Sequence, residues 1–137
     1  MKEKTQFKIL PHPADLKIEV FGSSKKELFQ NAMIAMFRAA GFVGEGQKTK
    51  RKLKCEGMDL PSLLVAFLEE VLYLSEIHNE VYWRVKFKEF SDEEIKAEVI
   101  GEPIKEKETI IKGVTFYELD IKKEKSGKLK ATILFDV

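Results

Sequence analysis

Asp15, Asp136 and Lys112 are the residues whose types and surroundings could carry chemistry in this sequence. Asp15 closes Pro11-His12-Pro13-Ala14-Asp15, in which the prolines fix φ at positions 11 and 13 and push Leu10 and His12 toward extended geometry. A stiff loop that offers an imidazole and a carboxylate three residues apart has its orientation settled before a ligand arrives. The same residues also make an ordinary strand connection, with Asp15 tying backbone amides and His12 simply exposed. Asp136 lies in Ala131-Thr132-Ile133-Leu134-Phe135-Asp136-Val137, which reads as a strand running to the last residue. The α-carboxylate of Val137 then stands beside the Asp136 side chain. Carboxylate oxygens gathered from separate segments are the ligand set of hard cations such as Ca²⁺ or Mg²⁺. With Asp15 at the same edge, three carboxylates would converge and repel one another unless a cation joined them. The alternative for Asp136 is a solubilising charge at a strand end.

Lys112 stands in Ile110-Ile111-Lys112-Gly113-Val114-Thr115 at the entrance to a strand, where Gly113 would let other backbone approach closely. It could bridge a carboxylate cluster, hold a phosphate as a point charge, or serve as an edge-strand gatekeeper. Lys48-Thr49-Lys50-Arg51-Lys52-Leu53-Lys54 has five basic residues in seven with no aromatic between them, so it lacks the stacking platforms that usually accompany a bound single strand. Phosphate-binding glycine loops, dinucleotide fingerprints and H-E-x-x-H are absent. His12 and His78 are the only histidines, which leaves a hydrolytic metal centre without a histidine-rich ligand set. His78, near a helix end, reads as a capping or exposed residue.

The elements that position these residues belong to one domain, residues 1–137. A chain of 137 residues with 44% hydrophobic and 34% charged side chains buries about two thirds of its surface on folding. Twenty-four Lys and Arg against 23 Asp and Glu leave a net charge of +1, so no global field captures nucleic acid or a membrane. The Lys/Glu bias, with five Asn and Gln in all, is of the kind associated with heat adaptation. Cys55 is alone, which excludes an intramolecular disulfide and a multi-cysteine zinc site. No apolar run approaches the roughly 20 residues of a membrane span, and no hydrophobic leader opens the sequence. The expectation is a soluble cytoplasmic protein.

Leu28, Phe29, Ala32, Met33, Met36, Phe37 and Ala40 recur at helical steps from Ser24 to Ala40, with Ser24 and Glu27 as a capping box and Gly41 as a stop. A second helix starts after Asp59, accepts Pro61 in its first turn and ends near His78-Asn79. Alternation predicts a hairpin of Val81–Phe87 with Ile95–Val99, and another of Val114–Ile121 with Leu129–Phe135 turning at Gly127. Shorter strands are expected at Phe7–Leu10, Leu16–Phe21 and Lys50–Cys55. This is an α+β pattern: an antiparallel or mixed sheet, or sheets, of about six to seven strands with two main helices packed against them.

His12-Pro13-Ala14-Asp15, the Glu19-to-Gly22 strand end, Glu27-Leu28-Phe29, Leu63-Leu64-Val65, Ile111-Lys112-Gly113-Val114-Thr115-Phe116-Tyr117 and terminal Phe135-Asp136-Val137 together resemble the archease family, in order and over essentially the whole chain. The resemblance implies an accessory protein with no catalytic residues of its own. Its partner would be the RtcB-type tRNA-splicing ligase, which joins a 2′,3′-cyclic phosphate or 3′-phosphate RNA end to a 5′-hydroxyl end using GTP and Mn²⁺. The implied role is to promote guanylylation of the ligase's histidine and multiple turnover. It also implies a divalent cation, Ca²⁺ or Mg²⁺/Mn²⁺, held by Asp15, Asp136 and the Val137 carboxylate, with Lys112 and His12 as further functional residues. RNA would be met indirectly or weakly, no membrane is involved, and homo-oligomerisation is left open. Pro13 stands where a threonine or another small residue is more familiar, and Phe116-Tyr117 replaces a tyrosine-histidine pair, removing an imidazole there. The competing reading is a small RNA-binding or chaperone-like module acting through Lys48–Lys54.

Overall fold

The computed structural model describes residues 6–10 and 15–137, without the side chains of 116–118. Along the chain run β1 (Phe7–Leu10), β2 (Asp15–Gly22), α1 (Lys25–Ala39), β3 (Val43–Gly44), β4 (Thr49–Glu56), α2 (Leu60–His78), β5 (Glu80–Phe90), β6 (Glu94–Glu106), β7 (Gly113–Lys123) and β8 (Leu129–Asp136). All strand pairings are antiparallel. This settles the choice between antiparallel and mixed sheets, and the two-residue β3 brings the strands above the expected six to seven. One sheet has the order β1-β2-β8-β7; in the other, β6 pairs with β3, β4 and β5.

The helices form a layer between the sheets, α1 against β2 and β5 and α2 against β7 and β4. A helix covered on two sides needs more than one apolar stripe. Accordingly Ile34 and Ala35 are buried in α1 beside the expected Leu28, Phe29, Ala32, Met33, Met36 and Phe37. Phe29 meets Phe67 of α2 at 5.7 Å between ring centroids and Phe90 of β5 edge-on at 5.2 Å, so aromatic packing joins α1 to α2 and β5. On its outer side, Gln30 Oε1 accepts the Val85 N–H of β5 at 2.8 Å, and Asn31 Nδ2 donates to the Phe21 carbonyl at 2.8 Å.

The helix ends follow their sequence signals. Ser24 Oγ accepts from Glu27 N–H at 3.1 Å, while Glu27 reaches the Ser23 N–H at 2.9 Å, one residue earlier than the expected reciprocal pair. At the start of α2, Asp59 accepts from Ser62 N–H at 2.8 Å, a bond that holds its carboxyl below the usual range. Asn79 ends that helix in the left-handed region, φ 55°. In the β7–β8 turn, Gly127 takes φ 91° as its position requires. Among the described residues, no helix is long and apolar enough to cross a membrane.

Candidate functional site at one end of the first sheet

Strand alternation decides which side chains face outward. In β2, Ile18 and Val20 are buried toward the helices, as are Ala131, Ile133 and Phe135 of β8. Asp15, Lys17 and Glu19, and Thr132, Leu134 and Asp136, therefore project from the opposite face. The β2–β8 ladder runs through eight consecutive pairs, from Asp15↔Asp136 to Gly22↔Leu129. Asp15 and Asp136, 121 positions apart in sequence, are thus direct cross-strand partners, a relation that places Cβ atoms about 4.5–5.5 Å apart.

The next strand closes the arrangement from the other side. Gly113 is the β7 partner of Asp136, and Lys112 N–H donates to the Asp136 carbonyl at 2.7 Å. Gly113 was expected to admit a close backbone; instead, a Cβ built there meets nothing within 4 Å among the described residues. The missing side chain leaves room beside Asp136. Asp136 and Lys112 are exposed, Asp15 is half-buried, and Val137 is half-buried with its side chain packed against the core. Segments 15, 112–113 and 136–137 consequently share one sheet end. His12, like the rest of 11–14, lies outside the described residues, as do the side chains of Phe116 and Tyr117.

Sequence reasoning missed Lys17. It lies one outward position from Asp15, and its β8 partner Leu134 pairs on the other side with Thr115, so a cation adjoins the carboxylate pair on the same face. Counting by two from Asp15 would have found it. Among the described residues, no three His, Cys, Asp or Glu side chains converge as a metal-binding group. Two aspartates in register fit the chemistry of a hard cation, with main-chain oxygens needed to complete its shell.

The basic run is divided by its strand. Arg51 turns inward, donating through Nε and Nη2 to the two carboxylate oxygens of Glu80 at 2.8 Å each. Tyr82 Oη donates to Glu80 Oε1 at 2.9 Å, and Ser75 Oγ donates to the Glu80 carbonyl at 2.6 Å. Glu80 is 4% exposed, and the Arg51 guanidinium holds its carboxyl below the usual range against the opposing effect of burial. Burial, reinforced by Glu80, pushes the Tyr82 phenol up. Bidentate geometry, satisfied oxygens and seclusion are the traits of a structural tie between β4, β5 and the end of α2. Lys50, Lys52 and Lys54 remain outward and exposed.

The Archease protein family (MTH1598/TM1083) profile matches residues 7–137. Protein archease of Methanosarcina acetivorans is 36% identical over 141 aligned residues, covering 96% of each chain; that of Pyrococcus abyssi is 31% identical, covering 92% of this chain and 94% of the relative. The solution structure of Methanobacterium thermoautotrophicum protein 1598 superposes with a TM-score of 0.76 at 28% identity, covering 96% of this chain and 98% of that one. A Thermotoga maritima archease, described as a possible chaperone, shares the fold with a TM-score of 0.70 at 20% identity, covering 99% and 100%. From the matched profile and these full-length relatives, the chain belongs to the archease family.

Proposed function

We propose that this chain is an accessory activator of an RtcB-type RNA ligase, working through a divalent cation at the Asp15–Asp136 end of the first sheet. The observation that supports this reading is the register itself: it sets two carboxylates from opposite ends of the chain side by side, with the Gly113 gap next to them. The Val137 α-carboxylate is the proposed third anionic donor, and exposed Lys112 is the cation proposed to meet phosphate oxygens. A cation so held near the ligase's nucleotide would neutralise charge on the phosphates and orient the leaving pyrophosphate. The ligase, not this chain, performs the covalent chemistry.

The test is to add the protein to a purified RtcB-type ligase with GTP and Mn²⁺ and to measure the covalent guanylylated intermediate. Wild type raises its rate and permits multiple turnovers; Asp15→Ala and Asp136→Ala keep the fold and lose the stimulation. Adding residues after Val137 weakens cation binding. Normal stimulation by all three variants overturns the reading.

A further inference from the structure

Lys50, Lys52 and Lys54 are one column of a larger charged surface. The buried Leu53, Cys55, Ile95, Ala97 and Val99 turn one face of the β4-β6-β5 sheet toward the helices, so the alternate residues form the opposite, solvent-facing side. Register assembles three rows of that side, Lys50–Ile100–Arg84, Lys52–Glu98–Lys86 and Lys54–Lys96–Glu89, bounded at one end by the acidic pair Glu56–Glu94. Six cations thus share three rows with two carboxylates, in a protein whose net charge is +1. Only Lys96 has an ion pair among the described residues, with Glu89 at 3.4 Å. The other five cations have none among the described residues.

We infer that this sheet face binds the phosphate backbone of a polynucleotide, without reading its bases. Outward residues of one strand recur about every 6.6–6.8 Å and neighbouring strands lie about 4.8 Å apart, a grid on which successive phosphates of one strand can each meet a cation. Arg84 adds a planar fork suited to phosphate oxygens. No aromatic ring occupies the rows, which removes base stacking as the source of affinity and leaves charge. Of the exposed large apolar residues, Ile9, Met58, Tyr73, Ile77 and Ile110 belong to other elements and connections, and Val43 of β3 pairs with Glu106, beyond the three rows. It therefore has nothing to insert into a lipid surface and no apolar anchor of the kind that dominates protein interfaces. The inward turn of Arg51 also means that the basic run alone is the wrong unit; Arg84 and Lys86 of β5 complete it. This inference does not depend on the carboxylate pair or on the ligase.

The test is fluorescence anisotropy with a labelled single-stranded RNA of mixed sequence, titrated with the full chain from low to physiological salt. With four to five phosphate contacts, log K falls with log salt at a slope of about −3, since each contact to a single strand contributes about −0.7. The exposed triple substitution Lys50→Gln, Lys52→Gln and Lys86→Gln lowers the magnitude of that slope by about 2 and weakens low-salt binding tenfold or more. Lys26→Gln with Arg38→Gln, on the outer side of α1, changes neither. Unchanged melting temperatures show that the variants remain folded. Absence of salt-dependent binding, equal binding by the triple variant, or equally effective competition by polyglutamate or anionic vesicles overturns the inference. Because the ligase is absent from this assay, its result is separate from that of the guanylylation test.

Discussion

Like charges set directly opposite each other across a ladder are destabilising. That cost applies to Asp15 and Asp136 when no cation joins them. Asp136→Asn is therefore expected to stabilise the cation-free protein slightly and to remove the rise in melting temperature that the proposed cation site would give the wild type on adding Ca²⁺ or Mn²⁺; calorimetry with and without chelator checks both parts. Glu80 supplies a different pH signature. Its carboxyl is depressed in the folded state, so the unfolded chain binds the proton more readily, and the stabilisation is full above the ordinary Glu range of about 4 and fades as pH falls through the folded value. In Arg51→Met the acid limb flattens, and the stability gap from wild type narrows from pH 7 to pH 3 in urea titrations. Cys55, whose thiol burial pushes up to about 12, has roughly one molecule in 10⁴ as thiolate at pH 8. Disulfide reagents should label it only through opening of the fold. The two aspartates of the candidate site could be singled out because Asp15 and Asp136 stand in distinctive local sequences. The Arg51–Glu80 tie was not, since nothing short of strand register shows that one cation in a basic run points inward.

At the scale of elements, local rules served well where they depend on near neighbours. Helix periodicity, Asp59 and Asn79 located α2, and alternation located both long hairpins, because their determinants lie within a few residues. They failed for β3, whose two residues carry no period, and for the irregularity between Thr115 and Asp120 in β7. They could not show that β8 lies between β2 and β7, since that pairing joins the two ends of the chain. Packing at the helix layer sets the next expectation. Phe29 is fully buried and contacts rings from α2 and β5, so Phe29→Ala should cost about 3–5 kcal/mol in equilibrium unfolding. Gly101 of β6 has the Val81 carbonyl and Tyr82 Cα where a Cβ would go; Gly101→Ala must displace β5, and lower stability with a shifted Tyr82 environment would report it.

For the whole molecule, a helix layer enclosed by two sheets leaves no part with a core of its own. Buried residues of both sheets and both helices form one continuous cluster. Unfolding is expected to be a single transition, with far-ultraviolet circular dichroism and the fluorescence of Trp83, which meets Phe37 of α1 at 6.2 Å, giving the same midpoint. Separated midpoints would show that the sheets come apart independently. The α+β class and the two helices were legible from composition and spacing, whereas the layering was not: the wide apolar surface of α1 reads equally as one thick stripe or as two contacts. Charge is organised at this scale as well, because a total near zero conceals a sheet face rich in lysine.

The unbroken β2–β8 ladder has a consequence for how this chain tolerates changes in length. Lengthening the turn at 124–128 leaves every rung of that ladder as it was, so Asp136 stays opposite Asp15. Deleting a single residue within β8 inverts the facing of everything beyond the deletion, swinging the aspartate toward the helices and Phe135 into water. Tolerance to insertion at the hairpin and intolerance inside the final strand should therefore sit only a few residues apart.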